Sequence, residues 1–83
     1  MPGLQVSVRL SGTMAQRLGA RRTVVLAPGA TVDDLIAVLA RDAGFEADSL
    51  RGLAVVAAGS FLARSHPVAD GDELDVLVPV AGG

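Results

Sequence analysis

At 83 residues the chain is long enough for one domain and too short for two. Half of it is apolar, yet Phe45 and Phe61 are the only aromatic residues, so the core must be built from branched aliphatic side chains and alanine. The net charge is −2 and the seven arginines are scattered, with only Arg21 and Arg22 adjacent; nucleic-acid binding, which needs a basic stripe and gains from aromatic platforms, is set aside.

The chain has no cysteine, which removes disulfides, thiolate metal sites and thiol catalysis together. It also has no lysine, so its side chains offer no amine for an isopeptide bond. The apolar runs are shorter than a membrane span, and no positively charged leader precedes an apolar stretch. The expectation is a soluble cytoplasmic protein.

Leu4, Val6, Val8 and Leu10 alternate with Gln5, Ser7 and Arg9, the period-2 pattern of a half-buried strand. Residues Ser11 to Arg22 read as a connection with helical character, in which Thr13 and Gln16 form a weak capping box and Gly19 ends the turn. Thr23 to Ala27 reads as a second strand, stopped by the turn dipeptide Pro28-Gly29.

The spacing predicts an amphipathic helix over Val32 to Ala43. Thr31 can cap the first turn and Asp34 completes the capping box, while Asp33 and Asp34 set negative charge at the positive end of the helix dipole. Val32, Leu35, Ile36, Leu39 and Ala43 form one apolar stripe. Gly44 then offers the left-handed position of a Schellman ending, with Phe45 folding back on the last turn.

Glu46 to Gly52 is a polar connector. Leu53 to Ala58 reads as a third strand, turned by Gly59-Ser60 into a short fourth one at Phe61 to Ala63. After His66-Pro67 and Asp70-Gly71-Asp72 comes a last strand, Glu73 to Val80, with Leu74, Val76, Val78 and Val80 on one face. A hairpin followed by a single helix covers one face of a sheet and leaves the other open. The expected fold is therefore α+β, a roll of the β-grasp type with a mixed four- to five-stranded sheet and one main helix on one face. The domain spans residues 1–80, and 81–83 form a flexible Gly-Gly tail.

The segment Ala69 to Gly83 resembles the C-terminal signature of the MoaD/ThiS family of ubiquitin-like sulfur carriers: the Asp70-Gly71-Asp72 turn, the strand Leu74 to Val78, and Pro79-Val80-Ala81-Gly82-Gly83 at the end. The strand–strand–helix order extends the resemblance over nearly the whole chain. The long connection from Leu10 to Thr23 resembles the molybdopterin synthase small-subunit branch. Two positions depart from the pattern: Ala58 stands where many relatives have Asn, and Val78 where that branch often has a second proline.

The resemblance implies that the Gly83 carboxylate is the working group. It would be adenylated by a ubiquitin-activating-like partner using ATP and Mg, converted to a thiocarboxylate, and presented to a sulfur-accepting synthase subunit. Ala81 and Gly82 would thread into the partner's channel, where the missing Cβ of glycine keeps the backbone narrow. Leu77 and Pro79, apolar on the face away from the helix, together with Val80, are the candidate partner-binding residues. The chain binds no cofactor or metal of its own on this reading and is no catalyst alone.

Other candidates are weaker. His66 has no second histidine or cysteine for a metal site, and Ser11, Ser60 and Ser65 lack a nucleophile elbow. The acidic cluster Asp70, Asp72, Glu73 and Asp75 is explained by turn chemistry and a solvated strand, and Arg21-Arg22 by a solvated face.

Overall fold

A computed structural model describes residues 3–45 and 52–77. Seven elements follow one another: β1 (Leu4–Leu10), α1 (Gly12–Leu18), β2 (Arg21–Leu26), α2 (Val32–Ala43), β3 (Ala54–Ala57), β4 (Ser60–Leu62) and β5 (Glu73–Leu77). The strands make one mixed sheet in the order β2-β1-β5-β3-β4, in which β1 and β5 run parallel and every other pair is antiparallel. The fold is the expected α+β, with a second, short helix beside the main one.

The apolar alternation of β1 reaches the structure unchanged: Val6, Val8 and Leu10 are buried and Gln5, Ser7 and Arg9 exposed. α2 has the predicted bounds and both halves of its capping box. The Thr31 hydroxyl accepts from the Asp34 N–H, and the Asp34 carboxylate accepts from the Thr31 N–H at 2.9 Å. At the other end Gly44 is left-handed (φ 77°), its N–H reaches the Arg41 carbonyl, and the Phe45 N–H reaches that of Ala40 at 2.8 Å, which is the Schellman pattern. The free N–H groups of Val32 and Asp33 are taken up by the carbonyls of His66 and Arg64, so the loop before β5 closes the start of the helix.

Three local expectations are corrected. Thr13 lies inside α1 rather than capping it; the N-cap is Ser11, whose side chain makes no capping bond, so the Thr13–Gln16 box does not form. α1 is held instead by Met14, wholly buried in the core. From its last turn the Arg17 guanidinium donates to the Ala43 carbonyl at 2.6 Å and lies 5.3 Å from the centre of the Phe45 ring, closing the end of α2. β2 begins at Arg21, two residues before the apolar run, because Arg9↔Arg21 and Val8↔Arg22 continue the ladder with β1.

The third correction is the β3–β4 turn. Ala57 pairs with Ser60, so the two turn residues are Ala58 and Gly59, one earlier than the composition suggested. Both have positive φ, 50° and 82°, as a two-residue hairpin of the right-handed twist requires. Asparagine tolerates that conformation better than alanine does. Ala58→Asn is therefore expected to stabilise the domain by about 0.5–1 kcal/mol, read as a higher urea midpoint with an unchanged slope.

The core lies between the sheet and the two helices. Val6, Val8, Leu35, Ile36, Leu39, Val55 and Val76 are at its centre, and among the described residues no polar or charged side chain is buried. Among the described residues no helix lies on the opposite face of the sheet.

Candidate functional site

The segment that leads to the chain's C-terminal motif is set by the Asp70-Gly71-Asp72 turn. The Asp70 carboxylate accepts from the Gln5 N–H at 2.7 Å, the Gly71 N–H donates to the Gln5 carbonyl at 2.8 Å, and the Ser7 N–H donates to the Asp72 carbonyl at 2.9 Å. The Asp72 carboxylate closes the turn on itself by accepting from the Ala69 N–H. The acidic pair is thus occupied with backbone donors, and its effect is to lay β5 against β1 in one register, from Ser7↔Glu73 to Leu10↔Val76. Asp70→Ala leaves the Gln5 N–H without this acceptor; the expected cost is about 1 kcal/mol, seen as a lower urea midpoint.

β5 then sits between β1 and β3, with Leu74 and Val76 buried and Leu77 on the far face, 41% exposed. Leu77 is where the sequence placed it. Pro79, Val80, Ala81, Gly82 and Gly83 lie outside the described residues.

The register brings to Leu77 residues that the sequence reading did not single out. Ala54 is directly opposite Leu77, Val56 is opposite Asp75, and Phe61 is opposite Val56. All four apolar residues share the face without helices, and Phe61 is 73% exposed. β4 is only three residues long, too short for alternation to assign Phe61 to a face. The signal that was available is the hairpin: once Val55 is assigned to the core, Val56 and its partner must point outward.

Beside this apolar patch the face turns polar. Arg9 holds Asp75 in a two-pronged pair, Nε to Oδ1 at 2.6 Å and Nη2 to Oδ2 at 3.0 Å. The hydrogen bond from Arg9 keeps the Asp75 carboxyl below the usual carboxylate range, and Asp75 raises Arg9 in turn. Both groups are solvated, so the pair orients side chains more than it stabilises the fold. An open groove of about 620 Å³ continues from there toward β2, past Ser7, Arg21, Thr23 and Glu73. His66 is exposed in the loop, and among the described residues no cluster of three metal-ligating side chains occurs.

The model of the ThiS family matches residues 8–83. The chain belongs to the ThiS family. No curated protein sequence matches it. Among solved structures it is similar to the small archaeal modifier protein 1 of Haloferax volcanii, at 26% identity and a TM-score of 0.74 over 95% of this chain and 99% of that one. The protein of Pyrococcus furiosus assigned as subunit 1 of molybdopterin converting factor gives 22% identity and a TM-score of 0.74, covering 93% and 99%. The ubiquitin of Caldiarchaeum subterraneum gives 18% and 0.71, covering 98% and 99%. This ThiS-family chain therefore has the ubiquitin-like β-grasp fold, with its helices on one face and the patch around Leu77 on the other.

Proposed function

We propose that the chain is a sulfur carrier whose Gly83 carboxylate is the reactive group. The observation that carries this reading is the sequence Pro79-Val80-Ala81-Gly82-Gly83, one residue beyond the central strand of a ThiS-family domain. A carboxylate is a poor electrophile because it would have to expel oxide. A partner enzyme removes that obstacle when the carboxylate oxygen attacks the α-phosphorus of Mg-bound ATP and pyrophosphate leaves. The outer sulfur of a persulfide on the partner then attacks the acyl carbon, and AMP leaves. A thiol attacks the partner's sulfur of the resulting acyl disulfide, forms a disulfide with it and releases the thiocarboxylate, a soft anionic nucleophile. With neither cysteine nor lysine, this chain offers no thiol or amine side chain of its own to intercept the activated acyl group.

The acceptor we favour is the large subunit of a molybdopterin synthase, since the β1–β2 connection is long enough to hold α1. Carriage of sulfur toward cysteine, thiamin or another metabolite is the same chemistry with a different acceptor. A second reading, conjugation to proteins through Gly83, draws on the likeness to the archaeal modifier. Intact mass after incubation with an adenylating enzyme, ATP and a sulfur source separates them. A thiocarboxylate replaces oxygen by sulfur and adds about 16 mass units. A conjugate gives a larger species instead, and an unchanged mass with a competent enzyme rejects both readings.

The patch of Leu77, Val56, Ala54 and Phe61 is the docking surface of that partner on this proposal. An apolar anchor at the centre of an interface contributes about 2 kcal/mol or more, at least a 20-fold difference in affinity. Leu77→Arg and Phe61→Arg are each expected to weaken binding to the adenylating enzyme by that factor. Both side chains are exposed, so melting of the free protein should change by less than the equivalent of about 0.5 kcal/mol. Intact binding with a collapsed melting temperature would place Leu77 in the core.

A further inference from the structure

Among the described residues no strand pairs with the outer edge of β2, and the hydrogen-bond phase of the sheet says which groups that edge presents. The Leu10 N–H donates to the Ala20 carbonyl, whereas the Ser7 N–H and the Gln5 carbonyl bond toward the β5 side. The odd residues of β1 thus face β5 and the even ones face β2. By the register, Arg22, Val24 and Leu26 exchange backbone bonds with β1. The N–H and C=O groups of Arg21, Thr23 and Val25 point away from the sheet.

This edge has little of the protection that exposed edges usually carry. The pairing with β1 is unbroken from Leu4↔Leu26 to Arg9↔Arg21, so there is no bulge, and the strand contains no proline. Its charges are confined to one end, at Arg21 and Arg22. Beyond them runs Thr23-Val24-Val25-Leu26, with Val25 66% exposed.

The side chains beside the edge define what fits. Arg21, Thr23 and Val25 share the face without helices, so the edge reads cation, hydroxyl, apolar along one line. Arg9, Arg22 and Arg64 are paired with Asp75, Asp42 and Asp33. Among the described residues no carboxylate pairs with Arg21. Arg21 and Thr23 also border the open groove, which gives a neighbouring side chain room to lie against the guanidinium.

We propose that the β2 edge binds an extended peptide segment of a partner, added antiparallel as a sixth strand, with an apolar residue opposite Val25 and an Asp or Glu four positions later opposite Arg21. The main-chain bonds to Arg21, Thr23 and Val25 would supply affinity, and the two end positions would supply selectivity. A second copy of this chain fits less well. On a two-fold axis at Thr23 each Arg21 would meet Val25 of the other copy, with no carboxylate for either. This surface is distinct from the Leu77 patch, and its occupation requires no sulfur chemistry.

The test uses the full chain, labelled with nitrogen-15, and an end-blocked peptide with the core Val-Ser-Thr-Ser-Glu. Titration is expected to shift the Arg21, Thr23 and Val25 amides and slow their hydrogen exchange. Replacing the peptide's Glu by Lys should weaken binding at least about tenfold, and Arg21→Glu should reverse that order of preference. Thr23→Pro, which removes an outward-facing donor from an edge strand, should abolish binding while the chain still melts cooperatively. The proposal is overturned by equal affinity for the Glu and Lys peptides, or by shifts centred on Phe61 and Leu77 without protection of the three edge amides. It is overturned equally if those amides become protected with protein concentration alone, which would make a second copy the occupant.

Discussion

Leu39→Asp is expected to leave the chain unfolded at room temperature. Leu39 is at 0% exposure in the middle of the α2 stripe, and no buried polar group among the described residues stands ready to receive a carboxylate. An unpaired charge there costs several kcal/mol or forces protonation against its ordinary range. A domain of 83 residues holds on the order of 4–12 kcal/mol in all. The control is Ala37→Asp on the exposed side of the same helix, where the loss should stay under about 1 kcal/mol. Circular dichroism on the two variants decides the matter. If Leu39→Asp melts like the parent chain, the helix presents a different face to the sheet.

Deleting Gly82 and Gly83 is expected to do the opposite: to abolish sulfur loading and leave melting unchanged. The deletion moves the terminal carboxylate back by about 7 Å, two residues of extended chain. It also places the Ala81 Cβ beside the reacting carbonyl. A partner that closes around a narrow backbone tolerates neither change. Stability should not follow, because the buried residues described in the fold all lie between Val6 and Val76. Intact mass after incubation with the adenylating enzyme should show no gain of about 16 units, while the thermal transition overlays that of the parent chain. A gain in mass would locate the chemistry elsewhere, and a large drop in melting temperature would show that the tail is packed.

The elements that could be read from the sequence are those whose side chains carry their own pairing rule. β1 alternates cleanly, and α2 has a cap, a stripe and a stop, so both have the predicted bounds. β2 was read short because its first two residues are arginines, and what makes them strand is backbone pairing with Val8 and Arg9. Met14 was missed as core because it stands among polar residues, although Met14, Ala15 and Leu18 have helical spacing. Ala30 and Val68, buried outside any element, are core only because the 63–68 loop closes over the start of α2. At the candidate site Leu77 followed from alternation. Val56 and Phe61 joined it only through cross-strand register, a property of two segments that neither displays alone.

The central strand of the sheet, β5, and its neighbour β1 come from opposite ends of the described chain and run parallel, and β5 is also bonded to β3 on its other side. That arrangement has a mechanical consequence. The backbone bonds lie across the strands, so a pull on the chain beyond Leu77, directed along β5, loads both ladders in shear. Their bonds must then yield together instead of parting one after another. On the proposed function, a partner that grips the chain beyond Leu77 would pull against a stiff body, in which no bond of either ladder can be released without loading the rest.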